Sequence, residues 1–271
     1  SKDGIAGAAV DLRTSQAVKV DAANKKPTKI KLANDRFVRG FEEPKRRFPR
    51  SVKKLSPVAY YRMPIRDKGL VSEPPEYSGV VLTGEGIHSP HASGVFAGGS
   101  LRVLANSTGR GGRVDVPPPL QTGQLTLAVF VYLEAPAPHG TVATNLSGGQ
   151  GNFALSLDQH GRLQATIRNS DGQLQSVTCD SELPLNTWTF VVMVADGEQL
   201  RVYEDSRLAA SAPCSTIALS DSETLWFGTD ADGAELWNGR IDELVLFDKA
   251  LSEDDISVLH QAALNEMEPS E

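Results

Sequence analysis

Aromatic residues make up only 6% of this 271-residue sequence, and cysteine occurs just twice, at Cys179 and Cys214. No Cys-x-x-Cys pair exists, which excludes a zinc ribbon or a thioredoxin-type redox site. Two readings of the cysteines stay open. One is a disulfide closing a loop of roughly 35 residues, contributing about 4 kcal/mol in the chain-entropy account; the other is a pair of buried thiols. No stretch approaches the roughly 20 consecutive apolar residues that span a bilayer. The start carries no charged-then-apolar leader, and neither end carries a lipidation motif. Because it begins at SKDGIAG rather than at Met, the chain reads as a fragment of something longer. Helical periodicity is absent as well, until the very end.

Charge is unevenly spread. Residues 1–57 hold 15 Lys/Arg against 6 Asp/Glu, while residues 58–271 hold 12 against 28, so a net −7 divides into +9 and −16. Such asymmetry marks modules with different partners. The first forty residues show short alternating runs, AVDLR, AVKVD and TKIKL, separated by turn-forming stretches. Next comes EEPKRRFPRSVKKLSP, 42–57, with the Pro-rich, basic composition of a linker. From Val58 on, short strands dominate. QLTLAVFVYLE sets Leu125, Leu127, Val129, Val131 and Leu133 on one face, NFALSLD sets Phe153, Leu155 and Leu157, and GRLQATIR sets Leu163, Ala165 and Ile167. TWTFVVMVAD is apolar on both faces, as a doubly covered central strand would be. Turn chemistry (DQHG, NSDG, ADG, TDADG) separates these runs. The pattern predicts an all-β fold, a two-sheet antiparallel sandwich over 58–265, with a tail at 266–271. One short C-terminal helix follows the last strand. Ser252 is its N-cap, Asp255 completes a capping box, Leu251 and Ile256 form a hydrophobic staple, and Ile256, Leu259 and Ala263 make its apolar stripe.

The stretch W-N-G-R-I-D-E-L-V-L-F-D-K-A-L-S-E-D-D-I (237–256) resembles the terminal signature of laminin-G-like, concanavalin A-like lectin/glucanase jelly rolls. Upstream, L-P-L-N-T-W-T-F-V-V-M-V-A-D-G-E-Q-L-R-V-Y-E-D-S-R-L is similar to the hairpin of that family, although the turn glycine of its Y-v-D-G is Ser206 here. V-A-Y-Y-R-M and F-A-G-G-S-L fit its opening strands. The resemblance implies a jelly roll and a non-catalytic recognition module for a carbohydrate or protein ligand, with a structural or adhesive domain as the alternative and a glycoside hydrolase-like enzyme as a third, less favoured one. The N-terminal piece, A-V-D-L-R-T-S-Q-A-V-K-V-D through D-R-F-V-R-G-F, resembles the tail of FecR-type extracytoplasmic signalling domains. That second resemblance implies a location outside the cytoplasmic membrane, periplasmic or at the cell surface. It ties the chain to the membrane only through an N-terminal segment not included here.

The candidate chemistry is sparse. The laminarinase-type Glu-x-Asp-x-x-Glu string is absent, as is the G-x-S-x-G elbow, so an enzyme is not expected. Asp242 and Glu243 are adjacent and point to opposite faces of a strand unless a bulge intervenes. The resemblance makes Asp242 a candidate for holding a structural calcium; the alternative is a buried carboxylate satisfied by backbone N–H groups. Asp230, Asp232 and Glu235 surround a glycine turn with the oxygen chemistry calcium prefers, or else form a solvated acidic turn. His88 and His91 lie in a Gly/Pro-rich loop with no third zinc ligand in view. Of the tryptophans, Trp188 is in register with core residues and Trp237 packs beneath the last strand. Trp226 alternates against Leu225 and Phe227, and so is the one expected to face outward, where it either packs under a loop or, as the candidate ligand-binding residue, serves as a sugar platform. The basic linker could contact heparin-like polyanions or anionic lipid, but its plainer reading is a solvated tether, and nucleic acid is not expected as a partner.

Overall fold

The computed structural model describes residues 16–20, 27–31, 46–63, 69–83, 91–96, 98–104, 109–219 and 224–267. The chain divides into two units, Ser1–Arg46 and Arg47–Glu271. In the first unit, β1 (Gln16–Val20) pairs antiparallel with β2 (Pro27–Lys31), which places two of the three short N-terminal runs in a hairpin. AVDLR lies outside the described residues.

The second unit is an antiparallel sandwich. Its nine-stranded sheet contains β3 (Ala59–Tyr61), β5 (Ser72–Glu73), β7 (His91–Ser93), β8 (Gly99–Val103), β10 (Leu125–Leu133), β15 (Trp188–Ala195), β16 (Gln199–Glu204), β17 (Arg207–Pro213) and β19 (Gly239–Phe247). The eight-stranded sheet contains β4 (Gly69–Leu70), β6 (Gly79–Thr83), β9 (Gly109–Val114), β11 (Thr141–Thr144), β12 (Phe153–Leu157), β13 (Arg162–Arg168), β14 (Leu174–Glu182) and β18 (Leu225–Phe227). The principal path of the first sheet is β17-β16-β15-β10-β19-β3-β5, with β8 also on β19 and β7 on β8. The second runs β14-β13-β12-β11-β18-β9-β6-β4. Alternation works as the sequence predicts: the odd-numbered side chains of β10, β12 and β13 all enter the core between the sheets. This is the two-sheet jelly-roll sandwich anticipated above.

The nine-stranded sheet is buried on its other face too. Phe130, Phe190, Val192, Val194, Val245 and Phe247 point away from the sandwich core into a second apolar layer. Two helices supply its cover, α1 (Arg47–Lys54) and α2 (Glu253–Met267). Helix α1 falls in the segment the composition assigns to a linker, and that expectation is corrected here. Phe48 and Val52, four apart, share one face and are fully buried, while Arg47, Arg50 and Lys54 are exposed. Pro49 is tolerated because first-turn N–H groups have no intrahelical partner. The Phe48 N–H, one of those orphans, instead donates to Glu266 Oε2 on α2 at 2.8 Å. The Phe48 ring meets Phe96, Phe130 and Phe190 at centroid distances of 5.5, 5.4 and 6.0 Å, within the aromatic-pair range.

Helix α2 starts as the sequence predicts. The Asp255 N–H donates to Ser252 Oγ at 3.1 Å and the Ser252 N–H donates to Asp255 Oδ2 at 3.3 Å, a reciprocal capping box. Ser206, the departure from the family hairpin, has a physical reason. Asp205 and Ser206 both have positive φ, 47° and 63°, making the two-residue type I′ turn that joins β16 to β17. Glycine would fit that geometry more easily, but the Ser206 hydroxyl lies 3.1 Å from His260 Nδ1 on α2, and the imidazole stacks on Phe190. Both cysteines are free thiols, Cys179 buried and Cys214 half-buried. Burial, reinforced by the neighbouring Glu204 carboxylate, pushes the Cys179 thiol up to about 12.

Two outcomes are expected. Phe48→Ala should destabilise the unit by about 3–5 kcal/mol, the range for emptying a buried phenylalanine site, as read by urea unfolding. A loss below about 1 kcal/mol would mean that α1 is not part of the cooperative fold. The second outcome concerns pH. Burial holds the His260 imidazole below its ordinary value, with Asp205 opposing in part. Between its folded value and about 6.5, the unfolded chain therefore binds more protons, and stability rises with pH. The contribution of neutral His260 is complete above about pH 6.5 and fades as the pH falls toward the folded value. In His260→Gln, the fall in stability between about pH 7.5 and pH 5.5 should be shallower; an unchanged slope would sink this assignment.

Candidate functional site

The adjacent carboxylates of β19 are brought together by a bulge. Ala128 pairs with Val245 and Phe130 with Asp242, so Glu243 and Leu244 together oppose the single residue Val129. Glu243 takes the extra position with φ 48°, in the left-handed region. As a result Asp242 and Glu243 both lie on the helix-covered side, at 2% exposure each, and not on opposite faces as simple alternation would place them. The bulge marks the point where β19 changes neighbour, from β8 at Ile241↔Leu101 to β3 at Leu244↔Tyr61. Asp242 fills that gap. Its Oδ2 accepts the Val95 N–H and its Oδ1 accepts the Glu243 N–H, both at 2.9 Å. A Cβ on Gly94 would overlap Oδ2, so only glycine lets the 94–95 backbone approach this closely. Glu243 accepts a hydrogen bond from the Tyr60 hydroxyl, and Arg62 Nε lies 4.0 Å from its Oε1. Burial, then the Glu243 charge, hold the Tyr60 phenol well above its ordinary value. Val95 and Glu243 thus present backbone N–H groups to Asp242, donors that suit a carboxylate acceptor.

The acidic turn is organised in the same way. Asp230 Oδ1 accepts the N–H groups of Ala234 and Glu235 at 2.7 and 3.1 Å. Glu235 Oε2 accepts from Thr141 Oγ1 at 3.4 Å, and Asp232 is exposed. Among the described residues, no three His, Cys, Asp or Glu side chains gather into a group able to hold a metal. His91 opens β7, while His88 lies outside the described residues.

The tryptophans divide three ways. Trp237 is fully buried in the core between the sheets. Trp188 lies in register with Phe190 on the helix-covered face but is only half-buried. Its ring is 5.3 Å from that of Tyr132, over which the Arg240 guanidinium sits at 4.8 Å, held by Glu134 at 2.7 Å. Partners engage each member of this row. Trp226 faces outward from the eight-stranded sheet, between the buried Leu225 and Phe227, as the alternation predicts.

Register places Trp226 in a row crossing seven strands, Ser176–Thr166–Ala154–Thr144–Trp226–Arg113–Val80. Most of these side chains are small. The Arg113 guanidinium stands 5.7 Å from the Trp226 ring centroid and is itself anchored by Asp115 at 2.8 Å. Thr166 and Ser176 hydroxyls are 2.9 Å apart, and Gln164 Nε2 donates to Thr178 Oγ1 at 2.9 Å on the same face. Next to Thr144, a glycine-rich loop leaves the sheet. Its base is locked by Asn145, whose Oδ1 accepts the N–H groups of Asn152 and Phe153 at 2.9 Å. Its tip, Ser147 to Gln150, is exposed. Arg113 and the Asn145–Asn152 pair were not singled out by the sequence reading. The Asn-x-x-Gly-Gly-x-Gly-Asn spacing was the available signal for the loop; nothing local marks Arg113.

The buried pair gives a direct expectation. Tyr60→Phe removes one donor to a buried carboxylate and should cost about 1–3 kcal/mol in urea unfolding. A variant as stable as the parent would show that Glu243 does not depend on that hydroxyl.

Comparison with known proteins agrees with this geometry. Domain 4 of AbnA, an extracellular arabinanase of Geobacillus stearothermophilus solved with arabinotriose, is 19% identical with a TM-score of 0.58; the match covers 76% of this chain and 98% of that one. The serotype D botulinum neurotoxin binding domain is 14% identical with a TM-score of 0.57, over 78% of this chain and 52% of that one. The same toxin's ligand binding domain, in complex with N-acetylneuraminic acid, gives 14% identity and a TM-score of 0.56, with the same coverage. This chain therefore spans about half the length of those toxin domains, and these likenesses are of fold. No curated protein matches the chain in sequence. Residues 106–257, more than half of the chain, match the family model of the laminin-G type. With its two-sheet jelly roll and terminal strand-to-helix signature, the chain belongs to the concanavalin A-like lectin/glucanases superfamily.

Proposed function

We propose that this chain is a non-catalytic recognition module that binds a carbohydrate on the outward face of its eight-stranded sheet. The observation that carries this reading is the unequal covering of the two sheets. Among the described residues, helices cover the outer face of one sheet, while the other presents Trp226 and Arg113 within a field of serine, threonine and glutamine side chains. Sugars present flat apolar C–H faces edged by hydroxyls. An indole beside a planar guanidinium, with hydroxyl and amide groups around them, matches both features. Small neighbours leave room beside the ring, and the exposed glycine-rich loop next to Thr144 offers backbone groups at its rim. The adjacent carboxylates Asp242 and Glu243 are buried on the other sheet and engaged by donors, which supports binding over hydrolysis. No step of this reading runs through a metal. The FecR-like resemblance of residues 1–41 supports an extracytoplasmic setting, as part of a cell-surface signalling protein.

The test is a glycan array probed with the full chain, followed by titration of any hit with and without calcium chelation. Trp226→Ala and Arg113→Ala should each weaken binding by about tenfold or more, as central aromatic and arginine contacts do. Chelation should leave affinity unchanged, because the proposed contacts are an indole face, a guanidinium and hydroxyls, which coordinate no metal. An array blank for every sugar printed, or a hit indifferent to both substitutions, would overturn the proposal and return the domain to a protein-contact or structural role.

A further inference from the structure

Helix α1 does more than close the second apolar layer. Its buried face is formed by Phe48 and Val52, which leaves its cations on the outside. Arg47, Arg50 and Lys54 stand at i, i+3 and i+7, one stripe along the helix, stepping by about 4.5 and then about 6 Å along its axis. That stripe forms one wall of a groove of about 420 Å³, and Ser257, Gln261 and Asn265 of α2, at i, i+4 and i+8, line the other. Lys53 is engaged by Glu73 at 2.6 Å, but among the described residues no ion pair within 4.0 Å involves Arg47, Arg50 or Lys54. Glu266, the α2 carboxylate that reaches α1, is occupied by the Phe48 N–H. Three exposed cations therefore face an uncharged wall, in which Val258 and Ala262 lie among the three polar side chains, on a body whose residues 58–271 carry −16.

We propose that this groove is a second binding site, for a linear anionic polysaccharide, separate from the sheet face and independent of the reading given for it. Charges spread along the groove suit a polymer with one anionic group per repeat; a compact anion would need them to converge on one point. Arginine offers its planar fork to carboxylate or sulfate, and the serine, glutamine and asparagine opposite supply partners for sugar hydroxyls. A bilayer surface is a poorer match. Interfacial helices present an apolar face to the lipid, and the large apolar side chains of α1 are turned inward against the sheet.

The experiment titrates the full chain at low salt with polygalacturonate, dextran sulfate and neutral dextran, and with phosphatidylserine vesicles in parallel. Polygalacturonate or dextran sulfate should bind, with affinity falling as salt is raised, and neutral dextran should not. Arg50→Ala should weaken binding about tenfold, as for loss of one charge-assisted contact. Arg47→Ala/Arg50→Ala/Lys54→Ala together should abolish it without changing the thermal midpoint, since all three side chains are exposed. Trp226→Ala should leave it intact, which separates this site from the sheet face. Because the N-terminal unit is also basic, Lys25→Ala/Lys26→Ala serves as the control. Binding that survives the triple substitution, that disappears in the Lys25/Lys26 control, or that is seen with vesicles but with neither polyanion would overturn the proposal.

Discussion

The last strand of the chain, β19, lies in the middle of a sheet, and the other elements of the domain are set by that placement. It pairs with β10 along one edge and with both β3 and β8 along the other, so it joins segments drawn from the beginning and middle of the domain. Its partners all lie far upstream in sequence, which makes the sheet a structure of long-range pairings. The family signature then reads as a set of physical requirements. Gly239 passes so close to Tyr132 O that a Cβ would collide with it. Asp242 takes up the Val95 N–H, and Asp248 Oδ1 accepts the Gln121 and Thr122 N–H groups at 3.0 and 3.1 Å. Thr126 Oγ1, buried, receives the Leu251 N–H at 2.9 Å where strand gives way to helix. The acids of this motif hold loops by their backbone donors.

Helix α2 follows β19 directly, and its docking decides which sheet is left open. Once Ile256, Leu259 and Ala263 lie on Phe190 and Phe247, the outer face of the nine-stranded sheet is buried, and α1 completes the cover with Phe48. A sandwich with both outer faces exposed would show polar alternation on every strand. Here β10, β15 and β19 are buried on both sides, whereas β12 and β13 alternate between buried and half-exposed residues. The difference between the sheets is thus written into strand composition, and it directs recognition to the alternating sheet.

Much of this was legible in the sequence, and the gaps have specific causes. Period-two patterning placed β12 and β13, the two-sided apolar run identified β15, and the capping residues set the start of α2. Helix α1 was missed because proline and five basic residues in RRFPRSVKK outweigh two apolar side chains, although their four-residue spacing is the helical signal. Asp242 and Glu243 could not be assigned to a common side, since a one-residue bulge leaves no mark on local periodicity. Trp226 was correctly read as outward-facing from its own strand. Its partner Arg113 was not, because the pairing of β18 with β9 joins positions far apart in the chain, and register of that kind is fixed by the tertiary fold.

The charge division visible at the start takes on a structural meaning with α1 in place. Four of the positive charges assigned by composition to a tether, Arg47, Arg50, Lys53 and Lys54, belong to the sandwich domain and sit on one helix. Had the segment been a free linker, its charges would have averaged over many positions and been screened within about 10 Å at ordinary salt. Folding fixes them along a line instead, at the cost of holding like charges together, a cost that Lys53 partly offsets by pairing with Glu73. On residues 58–271, which carry −16, the net charge opposes a polyanion, so within the sandwich domain the proposed attraction falls to this line. The same two aliphatic and aromatic side chains that bury α1 are therefore what turn a basic stretch of sequence into a surface with direction.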